Sequence, residues 1–93
     1  MANSRKYKSI TIHGKKYPEV DLYWEDILGD STIAVPNDFD KMKTAQLINR
    51  CYIYKRTKDY IWTFASYQTD DESFGDRNIF PIGVVKKIVR IPL

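Results

Sequence analysis

The sequence predicts a small, mostly β protein: a β-barrel of about five to six strands with one short helix. β-Branched and aromatic residues are frequent, with 14% of the chain aromatic, and apolar residues recur at a spacing close to two. A chain of 93 residues holds one core at most, so residues 1–93 are assigned to a single domain. The barrel is expected over residues 9–91, after a basic tail, residues 1–8, that can be disordered.

The amino-terminal third predicts a hairpin whose second arm continues as a long strand. Residues 9–12 and 17–20 flank a turn in which Gly14 supplies conformational freedom. Apolar and polar residues then alternate, as in a strand with one buried face. The apolar members of this alternation are Val20, Leu22 and Trp24. A turn at residues 28–31 is expected to end the strand.

The segment that follows is expected to be mixed. Residues 33–35 predict a short strand that the next residue, a proline, stops. Residues 37–47 are the one candidate helix, because an Asn or Asp can cap its start and because Phe39 and Met42 stand at helical spacing. We expect one or two helical turns.

The best-defined element is a hairpin with arms at residues 50–55 and 60–65. Counting outward from its loop places Ile53 opposite Trp62 on one face. The opposite face then carries tyrosines. Both faces of the hairpin are therefore expected to be substantially aromatic.

The carboxyl-terminal quarter predicts a polar loop and two strands. Residues 68–78 are polar enough to form a mobile loop. Pro81 and Gly83 forbid one uninterrupted strand. We therefore expect a strand ending at Phe80, a tight turn and a last strand over residues 87–91. Closing so small a sheet into a barrel would cover its aromatic face and pair its edges.

Three segments stand out by their order along the chain: residues 22–28 (LYWEDIL), the hairpin at residues 51–64, and residues 80–88 (FPIGVVKKI). This order resembles that of small accessory proteins of tailed phages that have an SH3-like barrel. Cys51 stands where such proteins often have glycine, and the basic amino-terminal hairpin is additional. The resemblance implies a phage accessory protein that acts by binding in the host cytoplasm, with no catalytic residues.

The charges come in blocks of alternating sign, although the net charge is only +3. Residues 1–18 carry five bases and no acid, and residues 19–40 carry seven acids and no base. One interpretation is that neighbouring strands pair these charges across the sheet. The other is a dipolar molecule whose basic and acidic faces steer a charged partner.

The composition argues against several classes of protein. No apolar run reaches the ~18 residues of a membrane span, and the start of the chain lacks the apolar segment of a signal peptide. We therefore expect a cytoplasmic protein that does not bind membranes. One cysteine and one histidine allow no internal disulfide and leave little material for a zinc site.

Candidate catalytic residues are equally scarce. Cys51 is expected to face the core and His13 to lie in a turn, so they do not make a nucleophile and its base. Asp21 and Glu25 are expected on the solvated face of their strand. The acids of residues 70–76 lack the spacing of a calcium loop, and no phosphate-binding glycine motif is present. We expect no enzyme, no cofactor and no metal.

One constellation points to binding, because basic and aromatic side chains interleave on the central hairpin. The candidate partner-binding residues are Arg50, Tyr52, Tyr54, Arg56, Ile61 and Tyr67. Such a set fits core packing, a protein interface, or a surface on which the bases of a single-stranded nucleic acid stack. The acids of residues 19–40 would repel phosphate.

We therefore predict a non-enzymatic binding module that docks on a host or phage protein. One alternative is a barrel that binds single-stranded nucleic acid through the basic and aromatic hairpin face. The other is a structural barrel that self-associates through an open edge at residues 88–91.

Overall fold

The computed structural model describes residues 6–93, which form strands, one short α-helix and one 3₁₀ turn. The strands are β1 (Ser9–Ile12), β2 (Lys15–Asp26), β3 (Ala45–Arg56), β4 (Tyr60–Phe64), β5 (Ser66–Gln68), β6 (Ser73–Gly75), β7 (Asn78–Pro81) and β8 (Val85–Arg90). Helix α1 is Pro36–Asp40, and the 3₁₀ turn is Ile82–Val84. The mostly β class predicted from the sequence is confirmed.

The main sheet has six antiparallel strands and is open. Its order is β1-β2-β3-β4-β7, and β8 also pairs with β2, while β5 and β6 form a separate two-stranded hairpin. The 3₁₀ turn joins β7 to β8, but within the described residues these two strands form no ladder with each other. The closed barrel predicted from the sequence is therefore wrong.

The edge strands of the sheet are short, charged or interrupted by proline, which explains how the sheet stays open. Strand β7 has only four residues and contains Pro81, and β8 carries Lys86, Lys87 and Arg90. Short strands, prolines and cations are the features that protect a sheet edge without closure. The aromatic face of the sheet is covered by the β5–β6 hairpin, and the two together form a second core.

The first core lies on one face of the sheet, under the 3₁₀ turn and β8. Its buried residues are Val20, Leu22, Cys51, Ile61 and Phe80. Trp24 packs its ring edge-on against Phe80, with the ring centroids 5.1 Å apart. The apolar side chains of the alternation in β2 therefore point into this core, as the sequence predicts.

The second core lies on the opposite face, because side chains alternate along β3 and β4. Its buried residues are Ile12, Tyr17 and Phe64, and the β5–β6 hairpin adds Tyr67 and Phe74. The rings of Phe64 and Phe74 meet edge to face at 4.7 Å. Residues 68–78, predicted to be a mobile loop, thus contribute a hairpin that covers the aromatic face.

The predicted register of the central hairpin is wrong by two residues beside the loop and by one residue beyond the bulge. Ile53 lies opposite Thr63, and the register then shifts before Lys55, which lies opposite Trp62. The shift places a bulge at Tyr54, where one strand has an extra residue. The loop lies one residue further along the chain than predicted, which moves each pair beside it by two residues, and the bulge then reverses one of these two.

Three further boundaries differ from the prediction. The helix ends at Asp40, because residues from Ala45 onward pair with β2 instead. Residues 33–35 form no strand. The backbone of Lys8 bonds to Ile91, so the tail predicted over residues 1–8 is partly paired, and its first five residues lie outside the described residues.

Candidate partner-binding surfaces

The three tyrosines of the predicted site gather around the second core. Tyr52 stacks on Phe64 with the ring centroids 5.3 Å apart, and it is half-buried. Tyr67 is half-buried against Phe74. Tyr54 lies parallel to Tyr17 at 5.9 Å and is the most accessible of the three, with 43% of its surface exposed. These rings act mainly in packing, and only Tyr54 presents much of its surface to a partner.

Arg50 is engaged by two carboxylates of the neighbouring strand β2. Its Nε lies 2.5 Å from Asp21 Oδ1, and its Nη1 lies 3.7 Å from Glu19 Oε2. The hydrogen bond from Arg50 holds the pKa of Asp21 below its ordinary value. A guanidinium compensated in this way is a poor site for a phosphate.

Ile61 and Arg56 do not share a face with Tyr52, which corrects the predicted site. Ile61 is fully buried in the first core. Arg56 lies directly opposite Ile61 in the ladder, so its side chain leaves the sheet on the same side. The physical reason is the bulge at Tyr54, which changes the face of every residue beyond it. The continuous six-residue surface predicted from the sequence is not formed.

The single cysteine and histidine occupy the positions expected of structural residues. Cys51 is buried, and its burial raises the pKa of its thiol. His13 Nε2 lies 3.3 Å from Glu72 Oε1, so this contact joins the β1–β2 turn to the β5–β6 turn. Within residues 6–93, no cluster of three metal-ligating side chains occurs. No helix in that range has the length and apolar character to cross a membrane.

The alternating charge blocks pair across neighbouring strands, as one of the two sequence interpretations predicts. Lys86 Nζ on β8 lies 2.8 Å from Glu25 Oε1 on β2. The hydroxyl of Thr44 also donates to Glu25. These hydrogen bonds, with that from Lys86 the strongest influence, lower the pKa of Glu25 from 4.5 to about 2.

Glu25→Gln is expected to flatten the acid side of the stability profile. Because the pKa of Glu25 is depressed on folding, its ionised form stabilises the fold above pH 4.5, and this contribution disappears as the pH falls towards 2. The melting temperatures of the wild type and the variant should therefore differ most above pH 5 and converge near pH 2. Asp40→Asn, on an exposed carboxylate, is the matched control and should track the wild type. A constant difference between wild type and Glu25→Gln would contradict the assignment.

The most exposed apolar surface belongs to a segment that the sequence analysis did not select. Residues 27–44, here called the arm, connect β2 to β3 and contain α1. Its large apolar side chains are all exposed, and none of the residues of α1 is buried. These side chains are Ile27, Leu28, Ile33, Val35, Phe39 and Met42. Ile33 is fully exposed, and Phe39 exposes 68% of its surface.

A signal for the arm is present in the sequence. Its apolar residues follow neither the period of a strand nor, beyond one helical turn, that of a helix, and Gly29 and Pro36 interrupt them. A segment of this kind does not form a regular apolar face of a helix or strand that would pack on its own domain. The sequence analysis assigned these residues to a strand and a helix, elements that usually turn apolar side chains towards a core. The exposure of the arm was therefore not predicted.

A second exposed feature is a groove of about 920 Å³ on the second-core face, here called the Trp62 groove. Its apolar lining comes from Tyr54, Trp62, Phe64, Phe74 and Ile79. Its rim carries Arg77, and Lys55 Nζ lies 4.2 Å above the Trp62 ring. The groove is therefore aromatic, with one carboxylate, Asp76, and two cations around it.

No protein-family model matches this chain, and no curated protein or solved structure is significantly similar to it.

Proposed function

We propose that this chain is a non-enzymatic protein-binding module and that the arm, residues 27–44, is its binding element. The observation that carries the proposal is that six large apolar side chains lie within residues 27–44 and that none of them is buried. Single exposed apolar residues are common on protein surfaces, but so many on one short segment indicate an interface.

A partner that covers the arm would remove its apolar side chains from water, which stabilises the complex. Burial of an apolar side chain of this size stabilises an interface by roughly 1.5–3 kcal/mol. Ile33 and Phe39 lie wholly or mostly in solvent, so a partner gains nearly the full transfer free energy of each. An element with no buried side chain is also free to adapt its shape to a partner.

The arm explains binding better than the tyrosine surface does. Tyr52 and Tyr67 are half-buried in the second core, and Ile61 is fully buried in the first. The nucleic-acid alternative has lost one of its cations, because Arg50 is engaged by Asp21 and Glu19. A protein partner remains the better match for an apolar element.

The proposal extends to the fold and the biological setting. The strand order β8-β2-β3-β4-β7, with a 3₁₀ turn between the last two strands of the chain, supports an opened SH3-like arrangement. Together with the resemblance described in the sequence analysis, this arrangement leads us to propose a phage accessory protein whose partner is a host or phage protein.

The experiment compares capture by two double variants. Ile33→Ser/Phe39→Ser removes two exposed arm residues, and Val89→Ser/Leu93→Ser removes two exposed residues of the carboxyl-terminal segment. All four side chains are exposed, so both variants should keep the wild-type melting temperature within a few degrees. Each immobilised protein is then incubated with a lysate of the cells in which the protein occurs, with and without nuclease.

The arm variant is expected to lose at least 30-fold in captured protein, because truncation of an interface anchor costs about 2 kcal/mol or more. The control variant should capture as much as the wild type in the presence of nuclease. Equal capture by the arm variant and the wild type would contradict the proposal. Capture that disappears with nuclease would move the function to the nucleic-acid alternative.

A further inference from the structure

We infer that the partner of the arm is a second copy of this chain, whose Trp62 groove receives it. This inference rests on the proposed function, because it names the occupant of the same element. The arm of one copy would lie in the groove of the next, and that copy's own arm would remain free for a third.

The position of the two surfaces favours association between copies. The arm leaves the sheet where β2 ends at Asp26 and β3 begins at Ala45. The Trp62 groove lies further along the sheet, beside Tyr54, the tenth residue of β3. At about 3.3 Å per residue, these points are roughly 30 Å apart along the strand. A donor surface and an acceptor surface at different ends of a molecule make head-to-tail contacts.

The chemistry of the two surfaces is complementary. The arm combines apolar side chains with a net charge of −1, from Asp30, Asp38, Asp40, Lys41 and Lys43. The groove combines aromatic side chains with Asp76 and Arg77 in its lining, and Lys55 above Trp62 brings its net charge to +1. Two apolar surfaces of opposite net charge therefore meet, which favours the pairing.

The surface area of the chain also indicates that a partner is missing. Its accessible surface is 7404 Å², whereas a compact monomer of 11.0 kDa exposes about 5,600 Å². Its radius of gyration is 17.6 Å, against about 12 Å for a compact domain of this length. The excess area, about 1,800 Å², is within the range that a stable protein interface buries. A chain that associates through both its arm and its groove would cover such an excess.

The test uses two variants that remove opposite halves of the contact. Ile33→Ser/Phe39→Ser disables the arm, and Arg77→Glu/Ile79→Glu disables the groove by reversing its charge at exposed positions. Mass is measured by light scattering after size exclusion over a 100-fold range of micromolar concentration. The wild type and the Val89→Ser/Leu93→Ser control should rise well above 11.0 kDa with concentration.

Each disabled variant alone should remain at the mass of one chain. Their equimolar mixture should form a species of two chains and no larger, because one intact arm meets one intact groove. Circular dichroism melts confirm that both variants are folded, and salt should weaken the mixed species.

Three outcomes would overturn the inference, and they separate it from the proposed function. The wild type could stay monomeric while the arm variant loses capture of another protein. This result would overturn the inference that the partner is a second copy, and it would leave the proposed function standing. Association of the groove variant as strong as that of the wild type shows an arm-to-arm contact and overturns the groove as acceptor. Wild-type behaviour of the arm variant in both mass and capture overturns the inference and the proposed function together.

Discussion

Phe64→Ala is expected to destabilise the fold by about 3–5 kcal/mol, the usual loss for a phenylalanine truncated in a core. Phe64 is 1% exposed and contacts the rings of Tyr17, Tyr52 and Phe74. It therefore joins three hairpins, and its loss opens a cavity between them. Since a domain of this size is stable by only about 5–15 kcal/mol, the variant should lose a large fraction of its stability.

Urea unfolding followed by circular dichroism measures this effect, with Phe39→Ala as the matched control. Phe39 is a phenylalanine on the arm with 68% of its surface exposed, so its removal should change the free energy of unfolding by no more than about 0.5 kcal/mol. Equal effects of the two substitutions would show that the arm packs on the domain as tightly as the second core does.

Ile61→Ala is expected to cost about 2–5 kcal/mol, because Ile61 has no exposed surface in the first core. The sequence analysis placed this residue on a binding surface, where the same substitution would affect affinity and leave stability almost unchanged. The neighbouring strand supplies the control, Ile79→Ala, at a position with 52% of its surface exposed.

The midpoint of urea unfolding should fall strongly for Ile61→Ala and hardly at all for Ile79→Ala. The slope of the unfolding free energy with urea should stay constant in both variants, which indicates a change in stability alone. A stable Ile61→Ala variant would restore the register predicted from the sequence and contradict the bulge at Tyr54.

The strands and one of the two cores follow from the sequence because their signals are local. Val20, Leu22 and Trp24 alternate with polar residues, and all three belong to the first core or pack against it. Pro81 and Gly83 interrupt the chain where the strand ends and the 3₁₀ turn follows. The charge blocks likewise predict pairing between neighbouring strands, of which the contact between Lys86 and Glu25 is one example.

The open sheet, the register and the arm depend on information that is not local. A bulge at Tyr54 inserts one residue without a distinctive sequence signal, and it separates Ile61 from Tyr52. Closure of the barrel was predicted to cover the aromatic face, but Tyr67 and Phe74 of the β5–β6 hairpin cover it. The exposure of Phe39 depends on the absence of tertiary packing, which spacing alone does not reveal.

The most direct test of the binding arm is amide hydrogen exchange of the chain with and without its bound partner, whether a second copy or another protein. Exchange in residues 27–44 should slow markedly on binding, while the peptide that contains Arg50 and Tyr52 should change little. Protection confined to the sheet around Tyr52, with the arm unaffected, would contradict the assignment of the arm as the binding element.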